Sequence, residues 1–314
     1  MNKVVALGGG HGLAATLSAL RAITSEITAI VTVADNGGSS GRLRQEFGIF
    51  PPGDLRMALA ALCGDDEWGR TWAKIMQHRF VSTGALDGHA MGNLLLASLW
   101  SEDEDPVTGL DRVGSLLKVV GRVLPMAAVP LDIEASFITS TGRIVVKGQT
   151  EVATAKGRIE SLRIIPEAPA ARMEALTAIR VADWITMGPG SWFSSVMPHL
   201  LVPMQLDALS RSKAKKILIL NLDAHINTVG EEFAGSTPEE HLELFASYAP
   251  EVSIDYFLVD KSVVRNHSAL AQIAGTLGGQ VVAVDIRKAP GSIHHDVTQL
   301  SLHLSHIMRQ SLVG

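Results

Sequence analysis

The feature that most constrains the fold of this chain is a glycine-rich turn that directly follows a short apolar run. Residues 4–7 are apolar and lead into Gly8-Gly9-Gly10-His11-Gly12, after which apolar residues recur at helical spacing. This order predicts a strand, a tight turn and a helix. Gly10, Gly12 and Ala15 match the pattern G-x-G-x-x-G/A, whose glycines let backbone N–H groups approach a phosphate at the start of a helix. The turn therefore predicts a phosphate-binding loop, with a tight connection that binds nothing as the alternative.

The rest of the chain repeats this alternation of strand and helix. Apolar runs without polar alternation indicate strands of a parallel sheet that is buried on both faces. Further strands are predicted at residues 27–34, 184–187, 217–222, 254–259 and 280–284. Helices are predicted at residues 55–62, 68–80, 92–100, 239–248 and 296–312. Residues from about 125 to 166 alternate polar and apolar side chains, which predicts a small antiparallel excursion within one doubly wound α/β domain over residues 1–314.

The composition excludes several classes of protein. Of the 314 residues, 46% are hydrophobic, so the chain can bury a large core and is not a disordered one. Its 27 basic and 32 acidic residues give a net charge of −5, which argues against a nucleic-acid partner because such proteins carry a basic face. Cys63 is the single cysteine, so we expect no internal disulfide and a reducing, cytoplasmic location. No apolar run reaches the roughly 18 residues of a membrane span.

The segment after the second predicted strand carries an acid, an amide, two hydroxyls and two guanidinium groups. It reads Asp35-Asn36-Gly37-Gly38-Ser39-Ser40-Gly41-Arg42-Leu43-Arg44. Arginine binds phosphate through paired hydrogen bonds, and serine hydroxyls and glycine N–H groups add donors without bulk. Asp35, at the end of a strand, is placed to bind a ribose hydroxyl. The alternative interpretation is that Arg42 and Arg44 begin a solvated helix.

Three shorter motifs complete the set of candidate sites. In Pro51-Pro52-Gly53-Asp54-Leu55-Arg56, the acid is either the cap of the following helix or a contact to a metal or hydroxyl. In Gly88-His89-Ala90-Met91-Gly92-Asn93, the histidine and asparagine are either ligand contacts or a core histidine and a cap. Gly188-Pro189-Gly190-Ser191 follows a strand and predicts a second anion-binding turn. Ligands of open α/β sheets bind at this edge, so we expect the glycine-rich turns to meet there.

Together these motifs give the predicted ligand-binding residues. They are Gly9, Gly10, His11, Gly12, Asp35, Asn36, Gly38, Ser39, Ser40, Arg42, Arg44, Asp54, Arg56, His89, Asn93, Gly188, Gly190 and Ser191. The sequence singles out no catalytic residue, because it contains no Walker A sequence, no G-x-S-x-G elbow and no H-E-x-x-H motif. No metal site is predicted, since the pair His294-His295 beside Asp296 has no evident third ligand.

The same motifs, in the same order, resemble the YvcK branch of the YvcK/CofD family. The resemblance rests on residues 8–12, 31–44, 51–56, 88–96 and 182–191. Its most specific parts are V-T-V-A-D-N-G-G-S-S-G-R-L-R and P-P-G-D-L-R. It implies a Rossmann-like three-layer sandwich with a mostly parallel sheet and a smaller lobe with antiparallel strands. It also implies a cytoplasmic factor for cell shape, cell-wall synthesis and gluconeogenic growth that binds UDP-N-acetylglucosamine or NAD(P).

The resemblance leaves the question of catalysis open. We expect a non-catalytic regulator that binds a nucleotide or nucleotide sugar, has no fixed cofactor, contacts a cell-wall synthesis or regulatory protein and forms a homo-oligomer. The alternative is transfer of a phosphate-linked group, as in the sister branch of 2-phospho-L-lactate transferases, and Asp35 and Asp54 would then hold Mg²⁺. An NAD(P)-dependent oxidoreductase is a third possibility, from the glycine pattern alone.

Two departures from the family affect these expectations. The family usually has an aspartate where this chain has Asn36, and the loss of a carboxylate weakens a divalent-metal site there. Residues 223–232 differ from the sequence Gln-Pro-Gly-Glu-Thr of the relatives, so the contacts of that loop are expected to differ as well.

Overall fold

A parallel sheet organises the molecule. The structure, a computed structural model, describes residues 2–102, 105–222 and 237–310. Its strands are β1 (Val4–Gly8), β2 (Ile27–Val31), β3 (Arg122–Pro125), β4 (Asp132–Thr139), β5 (Gly142–Lys147), β6 (Arg158–Ile165), β7 (Trp184–Met187), β8 (Lys215–Ile219), β9 (Tyr256–Asp260) and β10 (Gln280–Val284). Seven of these strands are parallel and form one sheet in the order β10-β9-β8-β7-β1-β2-β3.

The order of the strands creates a switch point between β1 and β7. The chain first builds outward from β1 through β2 to β3, and later adds β7 to β10 in order on the other side of β1. This is the arrangement of a Rossmann-type sheet, in which ligands bind beyond the carboxyl ends of the two strands at the reversal. All residues of β1 and β7 are buried, which explains why these strands have no polar alternation. The predicted fold class is confirmed.

A small antiparallel lobe is inserted in the chain between strands β3 and β7 of the parallel sheet. Strands β4, β5 and β6 pair in the order β5-β4-β6, within the predicted excursion at residues 125–166. In the first part of β4, Ile133 and Ala135 are buried, whereas Asp132 and Glu134 are partly exposed, as expected for a sheet with one solvated face. A short helix, α7 (Gln149–Thr154), lies between β5 and β6.

Helices flank the sheet and pack with one another. They are α1 (Gly10–Arg21), α2 (Gly38–Phe47), α3 (Pro52–Ala61), α4 (Glu67–Gln77), α5 (Met91–Glu102), α6 (Pro106–Leu117), α7 (Gln149–Thr154), α8 (Met173–Val181), α9 (Pro198–Leu201), α10 (Pro203–Arg211), α11 (Pro238–Tyr248), α12 (His267–Thr276) and α13 (Val297–Gln310). Helix α1 packs against both α3 and α13, which joins the first glycine-rich turn to distant parts of the chain. Within the described ranges, none of the helices combines the length and apolar character required to span a bilayer.

Two predicted helices differ from the observed ones. The helix predicted at residues 68–80 ends at Gln77, because Arg79 pairs with Ala90 in an antiparallel bridge. The helix predicted at residues 55–62 begins earlier, at Pro52, whose fixed φ suits a first helical turn, and Pro51 takes the capping position. The interpretation of Asp54 as the helix cap is therefore wrong, and its carboxylate is free to face the glycine-rich turn.

Candidate ligand-binding cleft

The first glycine-rich turn lies at the carboxyl end of β1, where the switch point is. Gly9 is extended and caps α1, and Gly10 has a φ of +57°, in the left-handed region that favours glycine. The first turn of α1 contains no acidic residue. Its backbone N–H groups and the positive end of the helix dipole therefore face the cleft with no acidic side chain from α1 itself, and the carboxylate of Asp54 on α3 accepts the N–H of Gly10.

The second glycine-rich turn, at the end of β7, lies in backbone contact with the first. A Cβ built on Gly12 would lie 2.1 Å from the carbonyl oxygen of Pro189 and 2.9 Å from the Cα of Gly190. Gly188 and Gly190 have φ values of +73° and +144°, which β-carbon-bearing residues rarely adopt. The expectation that the two turns meet at one edge of the sheet is confirmed, because β1 and β7 are parallel neighbours.

Asn221 fixes the second turn from the adjacent strand end. Its Oδ1 accepts the N–H of Gly190 at 2.9 Å, and its Nδ2 donates to the carbonyl oxygen of the same residue at 2.9 Å. The turn continues into a single π-helical turn, Trp192–Val196. There the hydroxyl of Ser194 donates to the hydroxyl of Ser191 at 2.5 Å. These contacts hold a row of hydroxyl groups beside the glycines.

The cleft consists of two adjoining chambers that share part of their walls. The carboxylate chamber, of about 370 Å³, is lined by Gly9, Gly10, His11, Gly12, Thr32, Asp35, Asp54, Met57, Gln149, Gly190, Ser191, Ser194 and Ser195. The histidine chamber, of about 320 Å³, is lined by His11, Gly12, Ala15, Gln149, Ala153, Pro189, Gly190, Ser191, Asn221, Leu222, Ile293, His294 and His295. The walls that the two chambers share include Gly12 of the first glycine-rich turn and Gly190 of the second.

Two carboxylates occupy the carboxylate chamber. Asp54 accepts a hydrogen bond from the backbone N–H of Gly10, and a Cβ on Gly9 would lie only 2.5 Å from its Oδ2. Burial, with the neighbouring charge of Asp35, raises the pKa of Asp54 to about 7. The Oδ1 of Asp35 accepts the N–H of Gly37 at 2.9 Å, which leaves the rest of that carboxylate for the chamber.

The chamber offers two protein ligands to a metal ion rather than a complete set. In the described residues, no group of three or more histidine, cysteine, aspartate or glutamate side chains is arranged to hold a metal. Mg²⁺ commonly takes one or two carboxylates together with water and substrate phosphates. The pair Asp35 and Asp54 fits that mode of binding, in which the ligand completes the coordination.

Histidines support the cleft and line its outer part. His199 is buried beneath the first turn, with Nε2 3.3 Å from the carbonyl oxygen of Gly8 and Nδ1 2.7 Å from Nε2 of Gln205, and burial lowers its pKa to about 4. His295 contacts the carbonyl oxygen of Leu220 at 3.3 Å, and burial lowers its pKa to about 4. Both rings are therefore neutral near pH 7. His11 stands at the mouth, where partial burial and nearby His294 lower its pKa.

Several predicted ligand residues instead form a buried hydrogen-bond network outside the chambers. The Oγ of Ser39 lies 3.0 Å from Nδ1 of His89 and accepts from Nδ2 of Asn93 at 3.0 Å. Arg56 is buried and donates from Nε to Oδ1 of Asn93 at 2.8 Å, and its Nη1 donates to the side chain of Gln77. The structure therefore places these four predicted residues between α2, α3 and α5, where they join the helices that carry Asp54 and the serine-rich segment.

The remaining predicted residues of the second segment face other partners. Arg42 donates to the carbonyl oxygens of Asp87, at 2.5 Å, and Ala85, at 3.4 Å. It lines a separate open cleft of about 600 Å³ that also includes Gly38.

The other predicted residues of this segment contact neighbouring elements. Arg44 forms an ion pair with Asp132 of the small lobe at 2.8 Å. Ser40 packs on Gly53, where a Cβ would lie 2.3 Å from its Oγ. Asn36 bonds to α7, and the divergent loop at 223–232 lies outside the described residues.

The structure thus divides the predicted residues into two groups. Those that line the two chambers are Gly9, Gly10, His11, Gly12, Asp35, Asp54, Gly190 and Ser191. Sequence reasoning missed the other polar residues of the lining, which are Thr32, Gln149, Ser194, Ser195, Asn221, His294 and His295. A usable signal existed for Asn221, because it is the first polar residue after a buried apolar run and so stands at the ligand-binding edge of the sheet.

The comparisons with known proteins agree with this architecture. The family model described as 2-phospho-L-lactate transferase CofD matches residues 4–299. A Mycobacterium leprae protein, provisionally named as a gluconeogenesis factor, is 47% identical over 312 residues, which cover 97% of this chain and 86% of that protein. The protein named Gluconeogenesis factor from Halalkalibacterium halodurans is 39% identical over 257 residues, which cover 82% of this chain and 77% of that protein.

A solved structure shows the same fold. The crystal structure of a member of the UPF0052 family from Bacillus halodurans matches with a TM-score of 0.84 and 32% identity, and the match covers 96% of this chain and 99% of that one. The family model, the relatives and the solved structure each span most of the chain, and the residues that the family model matches include both glycine-rich turns and the small lobe. The chain belongs to the CofD family, on the YvcK-like branch of the gluconeogenesis factors.

Proposed function

We propose that the cleft binds a nucleotide sugar or dinucleotide through its diphosphate, and that the protein is a cytoplasmic regulatory factor. The observation that carries this proposal is the backbone contact between the two glycine-rich turns, with Gly12 against Pro189. It brings the N-terminal N–H groups of α1 and the hydroxyls of the second turn to one cavity, and such groups bind anions without a specific cationic side chain. A diphosphate is the ligand group that spans both turns.

The histidine chamber supports a ligand with a ring system beyond the phosphates. Its lining combines apolar side chains, Leu222 and Ile293, with the amide of Asn221 and the imidazoles of His294 and His295. A mostly apolar wall with a few hydrogen-bonding groups is the usual surround of a base or sugar. UDP-N-acetylglucosamine and NAD(P) both carry such a group on a diphosphate, so they are the first ligands to test.

The regulatory role is supported by the names of the relatives. The Halalkalibacterium halodurans relative is named Gluconeogenesis factor, a name that describes a physiological requirement rather than a reaction. We extend it to this chain as a factor for growth on gluconeogenic carbon, with the link to cell shape and cell-wall synthesis that a nucleotide-sugar ligand provides. By binding a cell-wall precursor, the protein would signal to a regulated partner how much of that precursor is available.

Calorimetry with the full chain tests the proposal. UDP-N-acetylglucosamine, NAD⁺ and NADP⁺ are titrated separately, each with and without Mg²⁺, and we expect saturable binding of at least one ligand. His11→Ala should weaken that binding by about three- to tenfold, because it removes one hydrogen-bonding group from the mouth of the cleft. His267→Ala, an exposed histidine on α12, is the matched control and should bind as the wild type does. The proposal would be overturned if none of the three ligands showed binding at millimolar concentration.

A transferase is the second candidate, favoured by the paired carboxylates. Asp35 and Asp54 face the same chamber, and the family model is that of a phospholactate transferase. In such a reaction the carboxylates would hold Mg²⁺ on the phosphates, and the charge that develops on the leaving phosphate would be neutralised there. The assay supplies a nucleotide-activated phospholactate and a deazaflavin acceptor. Metal-dependent turnover that is lost in Asp35→Ala would support this candidate. Absence of turnover in the wild-type protein would refute it.

A further inference from the structure

Asn36 joins the small lobe to the edge of the ligand cleft. Its Oδ1 accepts the backbone N–H of Thr150 at 3.0 Å and lies 3.2 Å from the hydroxyl of the same residue. Its Nδ2 donates to Oε2 of Glu151 at 2.9 Å. These three contacts all go to α7, although α7 lies more than a hundred residues away in the sequence. Asn36 therefore ties the segment that connects β2 to α2 to the helix of the small lobe.

The chemistry of the tie requires an amide at this position. The backbone N–H of Thr150 can only donate a hydrogen bond, so the atom that faces it must be an acceptor. The carboxylate of Glu151 can only accept a hydrogen bond, so the atom that faces it must carry a donor. A carboxylate in place of Asn36 would satisfy Thr150 and would place a second negative charge about 2.9 Å from Glu151. The neighbouring backbone is adapted to the contact, because Gly148 has a φ of +108° and a Cβ there would lie 2.6 Å from the Nδ2 of Asn36.

The tie controls a residue that lines both chambers. Gln149 begins α7, immediately before Thr150, and is part of the wall of the carboxylate chamber and of the histidine chamber. Its Nε2 lies 3.5 Å from the Oγ of Ser194 on the second turn. A second contact holds the base of the lobe to the same segment, the ion pair of Arg44 with Asp132. The 36–44 segment thus positions the lobe, and the lobe positions Gln149 across the cleft.

We propose that Asn36 and Glu151 form a donor–acceptor pair that sets the position of α7 over the cleft and thereby the affinity for the ligand. The pair acts through Gln149 and is a positioning device rather than a ligand contact. Only the part of this inference that concerns ligand affinity rests on the proposed function.

The test exchanges donor and acceptor within the pair. In Asn36→Asp, like charges face each other, and we expect the ligand that binds the wild type to bind about tenfold more weakly. Amide hydrogen exchange over residues 149–154, measured without ligand, should become faster in the same variant. The double variant Asn36→Asp with Glu151→Gln restores a donor opposite the new carboxylate, so both affinity and exchange should return to within about twofold of the wild type.

A matched variant and two outcomes decide the inference. Glu160→Gln removes a carboxylate of the same lobe that pairs with Arg143, outside the lining of either chamber, and should change neither readout. Unchanged exchange over α7 in Asn36→Asp would overturn the tie, as would a double variant that behaves like the single one. If the wild type binds none of the three ligands, the proposed function fails, and hydrogen exchange on the ligand-free protein still decides whether the pair holds α7.

Discussion

The carbonyl oxygen of Pro189 lies 2.1 Å from the point where a Cβ on Gly12 would stand. The two backbones that form the cleft therefore touch at this point with no side chain between them. A methyl group here meets main-chain atoms, which cannot rotate away as a flexible side chain could, so the contact is a requirement of the fold as well as of the cleft.

Gly12→Ala should accordingly separate the two turns. We expect the free energy of unfolding, measured by urea denaturation, to fall by about 1–3 kcal/mol, the usual cost of overpacking. Gly275→Ala is the matched control, because a Cβ on that helical glycine meets no atom within 4 Å. It should leave the protein as stable as the wild type or more stable by about 0.4–1 kcal/mol. Equal stability of the two variants would contradict the close approach of the turns.

Asp54 should make stability depend on pH between about 4 and 7. Its pKa in the folded protein is raised from 3.8 to about 7, so the folded state holds a proton that the unfolded state releases. The stability of the wild type relative to Asp54→Asn is therefore greatest at low pH and falls as the pH rises through this window, by on the order of 2–4 kcal/mol. Urea denaturation of both proteins at pH 4 and pH 8 measures the difference. A constant difference across that range would show that the carboxyl titrates normally.

The same carboxyl should affect ligand binding. A diphosphate that approaches the ionised pair of Asp35 and Asp54 meets negative charge, whereas protonation of Asp54 or a bound Mg²⁺ removes part of it. In the absence of metal, we expect the affinity for UDP-N-acetylglucosamine or NAD⁺ to rise as the pH is lowered from 8 to 6, and Mg²⁺ to reduce this dependence. Titrations at the two pH values with and without Mg²⁺ provide the measurement. Affinity that is independent of both would place the phosphates away from the carboxylate chamber.

Asn221 should be required for the shape of the second turn. In Asn221→Asp, the side chain loses the donor that now reaches the carbonyl oxygen of Gly190 and presents a charge to that oxygen. We expect ligand affinity to fall by about tenfold, equivalent to about 1.4 kcal/mol. Asn266→Asp is the matched control, since the α12 cap needs only an acceptor for the N–H of Ala269 and aspartate supplies one. An unaltered affinity in Asn221→Asp would show that the turn holds its shape without this clamp.

Two arginines of the predicted site should respond differently to substitution. Arg56→Leu removes a buried guanidinium and leaves Asn93 and Gln77 without their partner, so the free energy of unfolding should fall by about 3 kcal/mol. Arg42 is exposed and bonds to carbonyl oxygens of the 85–87 loop, so Arg42→Ala should change stability by no more than about 0.5 kcal/mol. Thermal and urea denaturation distinguish the two cases. A large loss in Arg42→Ala would show that the loop it holds is part of the stable core.

The parts of the cleft that follow from local sequence could be predicted. Residues 4–12 and 184–191 each contain an apolar run and the glycines that end it, so the turns are encoded within a few residues. Their meeting could be predicted as well, since parallel neighbouring strands end at the same edge of a sheet. Asp35 and Asp54 belong to this category only in part: Asp35 lies in the connection that follows β2, whereas Asp54 reaches the chamber because its helix begins at Pro52.

The remaining residues depend on contacts between distant parts of the chain. Arg56 has the same chemistry as a phosphate-binding arginine, and only the packing of α3 against α4 and α5 shows that its guanidinium is enclosed. His294 and His295 enter the cleft because Arg287, bonded to the carbonyl oxygen of Leu222, holds their loop against the end of β8. No periodicity or spacing in the sequence encodes such a contact.

The pairing of β1 with β7 also bears on the order in which the protein is made. The N-terminal half supplies the first turn, both carboxylates and α7, but the opposing wall arrives only when the chain has been synthesised beyond Asn221. A ribosome-bound chain that stops before β7 carries an open half of the cleft with exposed strand edges. On the proposed function, recognition of a diphosphate would therefore become available only late in synthesis, after both halves of the sheet have joined.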